Sequence, residues 1–282
     1  MEVFLAIVIV VMSIMFWLDY ENTHLDVTKY EIDSIRVPRD FRDFKIVQLS
    51  DFHNNRDITF LNKLICYIKN IKPDLILITG DIVDSYSPNI DVAVLFVKKL
   101  TKIAPTYYTT GNHEFVCKKR SEFFSKVYSV NENFGHNNVF VFKKNRQKIN
   151  IIALEDPMKI QLKNKRKKSE VIVREAMEKI HFNHRNFTIL ISHRPDLYKE
   201  YDKKNIDLIF TGHAHGGQFN IPPFGPIYAP SQGMFPKYAK GIYNLKNGKM
   251  IVNRGLGNSS FPFRINNKPE IVVVTLKNSH IS

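Results

Sequence analysis

After residue 40 the chain alternates short apolar runs with amphipathic segments, and the runs end alike. "FKIVQLS" (44–50) leads into Asp51-Phe52-His53, and "PDLILITG" (73–80) into Asp81 and, three residues on, Asp84. "PTYYTTG" (105–111) leads into Asn112-His113-Glu114, "FTILIS" (187–192) into His193, and "NIDLIF" (205–210) into Thr211-Gly212-His213-Ala214-His215. Apolar runs this short, bounded by turn formers, are buried strands rather than helices. The segments 58–70, 91–102 and 170–181 carry apolar residues at helical spacing. Strands alternating with helices predict an α/β sheet. Such sheets place their sites at the carboxyl ends of their strands.

Each polar cluster alone is ordinary turn chemistry. Together, five strand ends carry Asp51, His53, Asp81, Asn112, His193, His213 and His215. Histidines at i and i+2 cannot share a helix face, so His213 and His215 each reach a different neighbour. The glycines around them let backbone approach closely. Carboxylate, amide oxygen and imidazole suit Mn, Fe, Zn or Ni, not a thiolate site. Cys66 and Cys117 form neither a metal-spaced pair nor a disulfide framework. Cys66 is expected to pack with Leu61, Leu64, Ile65 and Ile68, and Cys117 has no expected role. Seven donors exceed one ion with an open position but fit two divalent ions bridged by a carboxylate. Two ions roughly 3.5–4 Å apart make the clamp used for phosphoryl transfer to water.

The blocks Asp51-x-His53, Gly80-Asp81, Gly111-Asn112-His113-Glu114, Ser192-His193 and Gly212-His213-Ala214-His215 resemble the calcineurin-like metallophosphoesterases. The likeness is closer to the membrane-anchored bacterial members, which include phosphodiesterases and enzymes resembling UDP-2,3-diacylglucosamine pyrophosphatase. "GHAHGGQFNIPPFGP", "GIYNLKNGKMIVNRGLGNSSFPFR" and "PEIVVVTL" extend it over residues 25–278. The resemblance implies an α/β fold, a four-layer αββα sandwich of two mixed β-sheets flanked by helices. It implies that Asp51, His53 and His215 bind one metal, that Asn112, His193 and His213 complete a second, and that Asp81 bridges them. His113 would face the substrate, stabilise the transition state and protonate the leaving alkoxide. Asp84 would orient His113 by a hydrogen bond, on spacing alone, with a helix N-cap as an equal alternative. Where phosphoprotein phosphatases of the superfamily carry a phosphate-gripping arginine, this chain has Ser85, which argues against that activity. Ala214 stands where Thr is frequent, and little effect is expected.

Residues 3–18, "VFLAIVIVVMSIMFWL", carry no ionised side chain, and Trp17 and Tyr20 suit a membrane interface. No basic region or cleavage signal accompanies them, so an uncleaved single-pass anchor over 1–20 is expected, touching the bilayer through 3–18. A lead-in over 21–43 and a catalytic domain over 44–282 would follow. Lys29, Arg36, Arg39 and Arg42 follow the span and no basic side chain precedes it, a weak lean to a cytoplasmic domain. Net charge is +14, and "KNKRKK" (163–168) reads as a solvated loop able to touch anionic headgroups or substrate. No nucleic-acid module is legible, so nucleic acid is not an expected partner. His24, His136, His181, His184 and His280 are expected to be structural or exposed, and Arg254 and Arg264 to bind an anion or form salt bridges. Asn247-Gly248 predicts a hairpin.

The expected reaction is hydrolysis of a phosphodiester, or of the pyrophosphate bond of a nucleotide-linked lipid, by a hydroxide held between two metals. Segment 157–169 is the expected specificity loop. The alternatives are a cell-wall phosphate-polymer phosphodiesterase and a membrane-tethered protein that binds metal without turnover.

Overall fold

The structure, a computed structural model, describes residues 1–54, 58–258 and 261–279. Helix α1 (Glu2–Thr23) precedes β1 (Asp26–Asp33), β2 (Lys45–Leu49), α2 (Ile58–Ile71), β3 (Leu75–Thr79), α3 (Ile90–Thr101) and β4 (Thr106–Thr109). Then come α4 (Asn112–Val116), α5 (Arg120–Val130), β5 (Phe134–Gly135), β6 (Asn138–Lys144), β7 (Gln147–Ala153), α6 (Met158–Gln161) and α7 (Ser169–Lys179). β8 (Phe187–Ile191), α8 (Tyr198–Tyr201) and β9 (Leu208–Thr211) follow. Two small ribbons pair β10 (Asn220–Ile221) with β11 (Gly225–Pro226) and β12 (Tyr228–Ala229) with β13 (Gly233–Met234). The chain closes with β14 (Gly241–Asn244), β15 (Lys249–Val252) and β16 (Glu270–Lys277).

One sheet has the order β1-β16-β2-β3-β4-β5 and the other β14-β15-β9-β8-β7-β6. In the first, β2 to β5 run parallel and β16 is antiparallel to β2. In the second, β7, β8, β9 and β15 run parallel, with β6 and β14 antiparallel at the edges. Successive strand residues face opposite sides. Thus Leu75 and Leu77 of β3 pack between the sheets against Phe187, Ile189 and Phe210. Ile76 and Ile78 turn outward onto α2 and α3 through Leu61, Leu64, Phe96 and Val97. On the far side, Leu190 and Ile209 meet Val173 and Met177 of α7. The result is the expected four layers, αββα, with mixed sheets. The Asn-Gly hairpin is present, its last ladder pair being Asn244 and Lys249.

Two sequence readings change. Cys66 lies on the exposed side of α2, while Cys117 is buried in the core beside α5. A residue one step past Ile65 is rotated about 100° off the apolar stripe, which is why the helix exposes it. The 21–43 stretch is also built into the body: β1 runs along β16, and Ile32, Val37 and Phe41 are buried between the sheets.

Helix α1 stands apart. It has 22 residues, about 33 Å at 1.5 Å per residue, against a hydrocarbon core of about 30 Å. Its most apolar window has no buried share. Among the described residues, the contacts that tie it down come from its last turn. Glu21 is buried and its Oε2 accepts the Asn267 N–H at 3.0 Å, and Asn22 Oδ1 accepts the Arg264 N–H at 2.8 Å.

Candidate metal centre

The carboxyl ends of β2, β3 and β4 in one sheet meet those of β8 and β9 in the other. Backbone bonds weave the five loops together: Asp51 N–H to the Gly80 carbonyl at 2.9 Å, His53 N–H to that of Asp81 at 3.0 Å, and Gly212 N–H to that of His193 at 3.0 Å. Gly80 has φ +95°, and a Cβ there would strike Gly111 and the His193 ring. A Cβ at Gly212 would strike Ser50 and the Asp51 carboxylate. Any side chain at either position would push the loops apart.

Two groups of side chains adjoin. Asp51, His53 and His215 form one, and Asp81, His193 and His213 the other, each with donor atoms within 4.8 Å of one another. In the first, His215 Nε2 is 3.3 Å from Asp51 Oδ1 and 3.3 Å from His53 Nε2. In the second, His193 Nε2 is 3.1 Å from Asp81 Oδ2 and 3.1 Å from His213 Nδ1. Asp81 Oδ2 also lies 3.9 Å from His53 Nε2, so this carboxylate stands at the junction. Asn112 follows Gly111, against Asp81, and its buried Oδ1 has no hydrogen-bond partner. A buried amide oxygen without a donor is costly unless something absent from the polypeptide satisfies it. Four imidazole nitrogens facing one another and two carboxylates, with that oxygen beside them, fit a pair of divalent cations.

The backbone adds an independent mark. Asp51, His53, Asp81, His213 and His215 all have φ between +47° and +65°. Left-handed backbone costs an L-residue about 1–2 kcal/mol and gathers at functional sites.

Burial raises the Asp51 carboxyl to about 6, with His193 opposing and Asp81 adding. Burial would lower His193, but the adjacent Asp81 carboxylate lifts it to about 10. Burial also pushes Asp81 upward, yet His193 and His113 outweigh it and hold Asp81 well below the usual carboxylate range. Burial drives His53 down to about 3 and His213 and His215 well below the ordinary imidazole value, so these three are neutral. Neutral imidazole is the form that binds metal. The His193 ring bonds the Thr79 carbonyl through Nδ1 at 2.7 Å, which leaves Nε2 aimed at Asp81.

His113 lies at the edge of this centre, its ring edge-on to that of His53 at 4.6 Å. Its partner corrects the expectation for Asp84. Ser85 contacts His113 Nδ1, with its N–H at 3.1 Å and its hydroxyl at 3.0 Å. Asp84 Oδ1 instead accepts the N–H groups of Tyr86 and Ser87 at 2.7 and 2.8 Å, and its Oδ2 lies 3.8 Å from His53 Nδ1. Nor does Asp84 cap a helix: α3 is capped by Asn89, which accepts the Val92 N–H at 3.2 Å. The downstream amides are an aspartate's nearest donors and take Oδ1, while the carboxylate stays grouped with His53 and His113, ligand-type atoms of the three lying within 4.8 Å of one another.

Glu114 has a role that the sequence reading did not assign. Its buried carboxylate accepts the N–H groups of Asp81, Ile82 and Gly111 at 3.0, 2.7 and 2.8 Å and the Tyr108 hydroxyl at 2.7 Å. Burial and the Asp81 charge push it up to about 7. A glutamate three residues past the helix cap was the available signal. Arg194 pairs with buried Asp156 at 2.7 Å and reaches Ser231, whose hydroxyl lies 3.2 Å from His213 Nε2. Arg254 is a salt-bridge residue, 3.1 Å from Asp26 and 3.2 Å from Glu270. Buried Arg264 bonds the carbonyls of Arg254, Gly257 and Asn267. Arg254 thus has its charge paired, while Arg264 makes no salt bridge among the described residues and its charge acts on Asp51 and His215. His136 pairs with Glu155, His24 stacks on Tyr20, and His184 lies against the Phe182 ring at a tilt. His280 lies outside the described residues.

The family model for the calcineurin-like phosphoesterases matches residues 44–217. The chain belongs to that family. Calcineurin-like phosphoesterases hydrolyse phosphate esters with divalent metals, and the two clusters are candidate ligand sets for such ions in this member. It is 32% identical to the uncharacterised metallophosphoesterase YkuE of Bacillus subtilis, over 93% of this chain and 89% of that protein. It is 25% identical to the phosphodiesterase YaeI of Escherichia coli, over 83% of this chain and 82% of that protein. It is also 26% identical to a bovine transmembrane protein with a metallophosphoesterase domain, over 89% of this chain and 57% of that protein. Helix α1 is long and apolar enough to cross a membrane.

Proposed function

We propose that this phosphoesterase is a membrane-anchored dinuclear metallohydrolase of phosphodiesters, or of the pyrophosphate bond of a nucleotide-linked lipid. One observation carries the reading: Asp81 stands between two clusters of ligand type, with His113 beside them. Asp51, His53 and His215 would hold one cation and Asn112, His193 and His213 the other, with Asp81 between the two groups. Divalent ions there, Mn, Zn, Fe or Ni by donor type, would supply a water of lowered pKa and charge to neutralise phosphoryl oxygens. The chain's own groups do the rest. The Ser85 N–H donates to His113 Nδ1, which leaves the ring proton on Nε2. From there the Nε2–H donates a hydrogen bond to the charge that develops on the phosphoryl or departing oxygen. Glu114 binds the amides of Asp81, Ile82 and Gly111, and so holds the β3 and β4 loops in register. Segment 157–169 begins as α6, which packs against α4, the helix that carries Asn112 and His113.

The family resemblance and α1 favour a membrane-proximal substrate. The test is hydrolysis of bis-p-nitrophenyl phosphate and p-nitrophenyl phosphate by the detergent-solubilised chain, stripped of metal and reloaded with Mn or Zn. Metal-dependent turnover favouring the diester is expected. Folded, metal-loaded protein that cleaves neither ester would overturn the reading.

A further inference from the structure

Past His215 the chain enters a stretch with no Asp, Glu, Lys, Arg or His from Gly216 to Pro236, in a chain that is 24% charged as a whole. It folds as the β10–β11 and β12–β13 ribbons. Phe224, Met234 and Phe235 are 66%, 60% and 60% exposed there, with Tyr228 exposed beside them. Phe261 and Phe263, also exposed, join the same surface. Phe219 packs on their rings at 5.1 and 5.6 Å, and Gln218 Nε2 donates to both of their carbonyls. Lys237 follows this uncharged stretch directly, Lys240 lies three residues on, and Lys268 stands by Tyr20 and Glu21 at the root of α1.

Three observations place a membrane against it. First, α1 is rooted here: Asn22 bonds Arg264, Glu21 bonds Asn267, and Lys268 Nζ sits 4.4 Å over the Tyr20 ring. The apolar shaft of α1 therefore rises from the edge of the aromatic surface. Second, aromatic and apolar side chains rimmed by lysine suit the headgroup boundary of an anionic bilayer. A water-facing surface avoids a contiguous apolar patch of this kind. Third, the surface is locked to the metal centre, by Asn267 Nδ2 to the His215 carbonyl at 2.7 Å and by Ser231 to His213.

We propose that the ribbons over 219–235 and the 261–263 loop dock into the interface of the bilayer that α1 spans. The metal centre then works against the membrane surface, and its substrate is an amphiphile whose apolar part stays in the lipid. This rests on reading α1 as a membrane span.

The test uses the full chain in phosphatidylcholine–phosphatidylglycerol vesicles that carry nitroxide-labelled lipid. Cys66→Ser removes the exposed native thiol. Phe224→Cys and Phe235→Cys are each labelled with an environment-sensitive fluorophore. Ile35→Cys is the reference, 69% exposed and next to the Arg36–Asp207 pair at the opposite end of β9. Trp17, the one tryptophan, reports α1 in the same sample. The expected result is quenching at 224, 235 and Trp17, with none at 35. Quenched Trp17 with unquenched 224 and 235 overturns the docking while leaving the anchor standing. Unquenched Trp17 overturns the anchor and the docking with it. Equal quenching at 35 means adsorption in no fixed orientation and also overturns the proposal. Each variant's melting transition is compared with the parent's, and Met234→Cys replaces either site if its variant does not fold.

Discussion

A backbone that spends left-handed conformations on five neighbouring polar residues gets nothing from them in packing. Asp51, His53, Asp81, His213 and His215 are all buried, and each bears that strain. Such strain persists where the surrounding structure holds it and gathers at functional sites, and a cation between the two carboxylates is the partner proposed above. Asp81→Ala is therefore expected to lose both metals, read as metal per chain by elemental analysis; retained stoichiometry would remove the bridging role. His113→Ala is expected to keep its metals and lose turnover by about 10²–10⁴-fold, the range for a positioned proton donor. Ser85→Ala keeps the backbone N–H to Nδ1 and should cost far less. A Ser85→Ala loss as large as that of His113→Ala would mean that the hydroxyl has its own part in the reaction.

At the scale of elements, polar contacts hold the strand-end loops where apolar packing stops. Glu114 binds the β3 and β4 loops, and Arg194 with Asp156 joins the ends of β7 and β8. Glu155, next along, contacts His136 and Lys159. Burial would raise its carboxyl, but these two neighbours hold it below the usual value. A depressed carboxyl stabilises the fold fully above its unfolded pKa of about 4.3 and loses that contribution as pH falls through the folded value. Glu155→Gln is thus expected to lower the melting temperature at pH 7 and to differ less from the parent as pH drops below 4. A gap that widened with acid would contradict the sign.

For the whole molecule, α1 matters by where it is rooted. Removing residues 1–20 keeps Glu21 and Asn22 and is expected to leave a folded domain that no longer needs detergent. Removing residues 1–25 also takes the bonds to Arg264 and Asn267. That cut should lower the melting temperature further, by about 2–4 °C for each kcal/mol lost. Equal melting of the two truncations would show that the root of α1 holds nothing. Much of this architecture is legible beforehand, because short apolar runs and helical stripes are local patterns. β2, β3, β8 and β9 fall within two or three residues of their expected places. The boundary at 44 is not legible, because β1 finds its partner β16 at the far end of the chain.

The sequence alone determined which chemistry gathers at the strand ends, since residue type and strand order are local information. It also determined the α/β layering and the apolar span. The tertiary structure decided which neighbour each polar group chose. Ser85 rather than Asp84 holds His113, Glu114 braces two loops, Arg264 is a buried strut, and the aromatic ribbons share an edge with α1. Those choices depend on distances of a few ångströms between segments far apart in the chain. Hydrogen bonds weaken steeply over such distances, and spacing along a sequence does not encode them.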